Sequence, residues 1–143
     1  MLTLDQQYAI SAHQRVTKIK EKYLDEEKSR NKYGSTAHKL PILIRTAGLA
    51  QALAFVETRG KNDGKDKDGK KRENPYKDFL QDLEATVGTN GQGTLAKRAR
   101  EAELEDYMLL TQQVLHALLW YKRFAQSILD VDASTTVDDG KEE

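Results

Sequence analysis

The sequence has no cysteine in 143 residues. This excludes a disulfide framework and any thiolate site, and it fits a reducing compartment. There is no apolar run at the amino terminus. No signal peptide is expected, and the default address is the cytoplasm. No stretch is long and clean enough to span a bilayer. Alternating strand patterns and internal repeats are also missing, so the expected class is all-α. The length suggests one domain with a working core. The formal net charge is zero, but the charge is unevenly spread. Residues 1–59 carry ten Lys/Arg against six Asp/Glu, whereas residues 132–143 carry one against five. A basic first half and an acidic tail allow a local polyanion-binding face that the total conceals.

The dominant stretch is Leu40–Arg59, LPILIRTAGLAQALAFVETR. Its apolar positions are too dense for either period to emerge, so length and Ala/Leu content decide for a helix. Being apolar nearly all round, it is expected to be a central rod covered by other helices. Pro41 fits its first turn. Gly48 and Ala52, four apart, leave one side nearly bare for a close neighbour.

Before it, Thr3 and Gln6 form a capping box. Ala9, Ala12, Val16, Ile19 and Tyr23 follow at steps of three and four, a single stripe on a helix expected to run from Leu4 to about Asn31. Gly34 suits its left-handed cap, with Ser35 or Thr36 capping the next helix. Asn74-Pro75 starts a short helix whose inner face is Tyr76, Phe79, Leu80, Leu83 and Val87. Thr94 caps another. A last long helix, about Leu104–Leu129, has an expected inner stripe of Leu104, Met108, Thr111, Leu115, Leu118, Tyr121, Ala125 and Ile128, widened by Tyr107, Val114 and Trp120. The sum is a compact bundle of five to six helices in one domain, residues 1–131. Residues 60–74 and 88–93 read as flexible loops and residues 132–143 as a disordered acidic tail.

Several motifs fail on inspection. If Gly69 is set at the sixth position of a calcium loop, Gly64 falls at the first and Pro75 at the twelfth, so both essential carboxylates are missing. In the Gly88–Gly93 loop, Thr94 stands where a phosphate-binding loop needs lysine, and no strand precedes it. His13, His38 and His116 lie far apart, and Ile10 and Gln113 occupy the places where a di-iron bundle needs glutamate. His116 borders an apolar face and reads as a hydrogen-bonded wall residue. No Ser, His and Asp combine into a nucleophile arrangement. Neither an enzyme, nor a metal, nor a cofactor, nor a small-molecule substrate is expected.

The cations carry more information. Arg15, Lys18 and Lys22 line one side of the first helix, away from its apolar stripe. Lys39 and Arg45 flank the start of the apolar stretch, and Lys122 and Arg123 follow Trp120-Tyr121. Such side chains neutralise phosphates without reading bases. In so charged a chain, the residues alone favour an ordinary solvated face over a nucleic-acid face.

A family resemblance reverses that weighting. Lys39 through Phe55, Tyr76 onward, Glu101-Ala102-Glu103-Leu104 through Tyr107, Leu110-Thr111 and Trp120 through Ala125, in this order and spacing, resemble the small helical subunit of the type III-B (Cmr) CRISPR RNA-guided effector complex. The amino-terminal helix from Asp5-Gln6 fits as well. The resemblance implies a non-catalytic subunit that stacks with copies of itself beside other subunits and helps hold the guide–target RNA duplex. Its implied nucleic-acid contacts are Arg15, Lys18, Lys22, Lys39, Arg45, Lys122 and Arg123. The long 60–74 loop and the acidic tail depart from the family pattern. The alternative is a free-standing helical adaptor or homo-oligomer without nucleic-acid binding.

Overall fold

The computed structural model of the chain describes residues 1–63, 74–89, 91 and 93–135. The flexible centre expected at 64–73 and the disordered tail expected at 136–143 lie outside the described residues. Among the described residues there are six helices and no strand: α1 Leu4–Lys22, α2 Glu27–Ala47, α3 Leu49–Asp63, α4 Pro75–Val87, α5 Leu95–Glu101 and α6 Leu104–Ser127. The all-α expectation holds. Helix α6 packs on α1, α2 and α4, and α4 touches α1, α2, α3 and α6.

The local signals at the helix starts are realised. The Thr3 hydroxyl accepts from the Gln6 N–H at 3.0 Å, and the Gln6 side chain accepts from the Thr3 N–H at 2.8 Å. The Asn74 side chain accepts from the amides of Tyr76 and Lys77, and the Thr94 hydroxyl from that of Lys97. Each bond satisfies amides that the first turn leaves without partners.

The first helix is shorter than expected. It stops at Lys22, where the apolar stripe also ends, rather than near Asn31. The Arg30 guanidinium folds back and donates to the carbonyls of Tyr23 and Leu24, both at 2.6 Å. This covers acceptors exposed by the break and fixes where α2 departs. Helix α2 then runs without interruption through Gly34, Ser35 and Thr36, so none of them caps a helix. Gly34 has another role: a β-carbon there would lie 2.6 Å from the Val131 β-carbon. Glycine lets the segment after α6 lie flat on α2. The Val131 carbonyl sits 2.8 Å from His38 Nε2, and its N–H donates to the Ala125 carbonyl at 2.9 Å. Pro41 also lies inside α2 and is buried there, not in a first turn.

The expected single rod, Leu40–Arg59, is two helices. Gly48 adopts φ +91°, a left-handed conformation that ends α2. The Tyr107 hydroxyl, from α6, accepts the Ala50 N–H at 3.1 Å and so caps the start of α3. Nor is this stretch covered all round: Ile42 is 63% exposed and Phe55 50%. Helix α3 continues through Gly60, which was expected to open the loop. The inner line of α6 is Leu110, Val114, Ala117, Leu118, Tyr121 and Ala125. Leu104 and Met108, placed on that line from sequence, are 72% and 55% exposed. These two positions lie roughly a quarter turn off the buried line, which the expected stripe joins at Leu118, Tyr121 and Ala125.

Replacing glycine by alanine inside a helix ordinarily stabilises it by about 1 kcal/mol. Gly34→Ala is expected to do the reverse and cost about 1–3 kcal/mol, because its methyl collides with the packed Val131. Urea unfolding checks this; a stabilised variant would show that Val131 is not seated against α2.

Candidate nucleic-acid interface

The cations must be placed against the polar groups that already claim them. Two carboxylates on α4, Asp78 and Asp82, lie four residues apart and therefore on one side of the helix. The Tyr33 hydroxyl donates to Asp82 at 2.6 Å, and Arg15 pairs with the other oxygen of that carboxylate at 3.5 Å. The Tyr23 hydroxyl and Lys22 both donate to Asp78, Lys22 at 3.0 Å. A relay of hydroxyls continues inward. Ser11 lies 2.7 Å from Thr86, Thr86 lies 2.7 Å from the Tyr121 hydroxyl, and Tyr121 donates to the Asp82 carbonyl at 3.1 Å. Tyr23, Tyr33 and Tyr121 are fully buried. Beneath them Phe79 meets Tyr33 and Tyr121 edge-on, with ring centroids 5.1 and 5.5 Å away.

Burial raises the Asp82 carboxyl above its ordinary value, against the Tyr33 hydrogen bond and the Arg15 charge, which favour ionisation. Burial likewise raises Tyr33 and Tyr121. Asp132 moves the other way: hydrogen bonds from Ser134 and Thr135 hold it below the usual range. These bonds close a turn over residues 132–135, the first part of the segment expected to be a disordered tail.

The seven expected contacts divide accordingly. Arg15, Lys18 and Lys22 share one side of α1, beside α4, but Arg15 and Lys22 are ion-paired there and only partly open to solvent. The row faces solvent, as its distance from the apolar stripe implies, but its two ends are also tied to α4. Lys18 is exposed. Lys39 and Arg45 are both exposed on α2, but six residues of helix turn them about 120° apart. Lys39 lines a groove between α2 and α3, together with Leu43, Phe55 and Arg59. On α6, Arg123 is exposed and Lys122 half-buried. The fold thus gathers one row on α1 and distributes the other four cations over separate surfaces.

The family model described as CRISPR-associated protein (Cas_Cmr5) matches residues 4–128. The CRISPR system Cmr subunit Cmr5 of Thermus thermophilus is 38% identical over 130 residues, covering 91% of this chain and 99% of that protein. The chain belongs to the CRISPR-associated Cmr5 family. The crystal structure of a Cmr5 family protein from Thermus thermophilus superposes with a TM-score of 0.70, covering 89% of this chain and 98% of that one at 38% identity. The resemblance read from the sequence and the all-α class therefore both hold. The match takes in α1 through α6 and ends just before the segment that rests on Gly34.

Sequence reasoning missed the α4 staple. Its only trace was that Asp78 and Asp82, four apart, share one side of a helix, as do Arg15 and Lys22, seven apart. His116 behaves as expected of a wall residue: its Nε2 lies 2.9 Å from Asp5, whose same oxygen accepts from the Trp120 indole at 2.9 Å. Among the described residues no three potential ligands gather as for a metal ion, and no helix is long and apolar enough to cross a membrane.

The raised Asp82 carboxyl fixes a pH dependence. The folded chain holds that proton more tightly than the unfolded one, so above the ordinary value of 3.8 this group lowers stability as pH rises, until its folded pKa is passed. Asp82→Asn lacks the effect. The stability of the parent minus that of the variant, from urea midpoints, is expected to fall as pH rises above the ordinary carboxyl value of 3.8. A rising difference would mean that Tyr33 and Arg15 outweigh burial.

Proposed function

We propose that this Cmr5 family member is a non-catalytic structural subunit of a type III-B, RNA-guided, RNA-targeting effector complex acting in antiviral defence in the cytoplasm. It stacks with copies of itself beside the other subunits and contacts the backbone of the guide–target RNA duplex. The observation that carries the reading is the family match over residues 4–128. Membership supports the place in the assembly, and the dispersed cations support the contact with RNA. Lys18, Arg45, Lys122 and Arg123 carry most of that contact. Arg15 and Lys22 add less, since Asp82 and Asp78 already offset their charge. Such contacts attract any phosphate backbone, and base pairing with the guide supplies the sequence selectivity. The exposed apolar side chains Ile42, Phe55, Leu104, Met108 and Leu119 fit a chain whose surface is partly covered by neighbours.

A variant with Lys18→Gln, Arg45→Gln and Arg123→Gln, built into the assembled complex, tests the RNA contact. Target affinity is expected to drop. The slope of log affinity against log salt should become shallower by roughly 3, about 0.9 for each duplex phosphate that is no longer neutralised. Circular dichroism should show unchanged helicity, because all three side chains are exposed. Unchanged affinity and slope would remove these residues from the RNA interface.

A further inference from the structure

Two surfaces of this chain complement each other. The first is the groove between α2 and α3. Leu43, Phe55 and Val56 give it an apolar floor, Lys39 stands at its edge with Lys32 and Arg59, and among the described residues none of its lining is acidic. The Arg59 guanidinium lies over the Phe55 and Tyr76 rings at 5.7 and 5.3 Å, which holds the floor in place while Phe55 stays 50% exposed. The second is the start of α6. Leu104 and Met108, one helical step of four apart, stand 72% and 55% exposed. Glu101, Glu103, Glu105 and Asp106 surround them, all exposed, and no lysine or arginine occurs between Arg100 and Lys122. One surface is an apolar trough with cations, the other an apolar ridge with carboxylates.

We propose that the first turns of α6 of one copy seat in the α2–α3 groove of the next copy, with Leu104 and Met108 as anchors. This rests on the stacking reading above and supplies its missing geometry. A helix that places side chains at i and i+4 into an apolar groove is a common recognition mode, and opposite charges at the rim set orientation and partner choice. The two patches differ, so the contact is head-to-tail. A joined pair keeps one free groove at one end and one free ridge at the other, which suits a row of subunits. The inference also moves Lys39 from the RNA to the neighbouring carboxylates, Glu105 among them.

The absence of native cysteine makes the test direct. Phe55→Cys and Met108→Cys are made as separate variants of the full chain, each with an exposed thiol, and the complex is assembled from a mixture of the two. Oxidation is expected to give a disulfide-linked pair from the mixture and none from either variant alone. Lys39→Glu added to the Phe55→Cys chain should lower the yield about fivefold, and Glu105→Lys added to the Met108→Cys chain should restore it when both changes are present. A mixture that links no better than Phe55→Cys with Ile10→Cys would overturn the groove assignment. In that event, lysine cross-linking of the unmodified complex with isotope-mixed copies separates the two failures. Links between copies through other surfaces would leave stacking intact, and no link between copies would remove stacking as well.

Discussion

The buried side of α4 is the constraint on which the rest of this fold depends. Asp82 loses most of its hydration there, and that loss is tolerable only because a tyrosine hydroxyl from α2 and an arginine from α1 reach it together. Asp78 repeats the arrangement with Tyr23 and Lys22. Removing one partner would leave a partly buried carboxylate short of donors, so the register of α1, α2 and α4 is fixed collectively. The Tyr33–Phe79–Tyr121 contacts beneath join α2 and α4 to α6 through apolar burial. Hydroxyls above and ring edges below converge on a helix of 13 residues, which explains how a short element can organise longer ones.

The staple has a consequence for function. Cations placed on α1 by helical periodicity look equivalent in the sequence, yet the fold commits two of them to holding α4. What is left for a polyanion is a smaller set, spread over α1, α2 and α6. That distribution suits recognition of an extended backbone, where each contact is weak and the sum is sensitive to salt. The exposed apolar groups on α2, α3 and α6 follow the same division of the surface: their exposure is consistent with the subunit being completed by neighbours.

How much of this is legible in the sequence depends on how far each cause lies along the chain. Thr3, Asn74-Pro75 and Thr94 announce helix starts because capping involves neighbours three residues away. The stripe of α1 is readable for the same reason. Gly34 misleads because its role is set by Val131, close to the other end of the sequence, and no local pattern links the two. Gly48 stands out as bare, yet its break of the helix depends on Tyr107 receiving the Ala50 amide. In α6 the apolar residues outnumber the inner positions, so periodicity allows two lines and only packing chooses between them. Arg15 and Lys22 draw attention as cations, but their carboxylate partners sit on another helix that spacing alone cannot bring alongside.

Lysine reactivity in the assembled effector, measured by limited acetylation and mass spectrometry with and without target RNA, tests the central claim most directly. The account predicts that Lys18 and Lys122 react in the absence of target and are protected when it binds, while Lys22, held on Asp78, reacts slowly in both states. Reactivity at Lys18 and Lys122 that ignores the target, together with Lys22 becoming protected, would contradict both the division of the cations and the role of the α4 carboxylates.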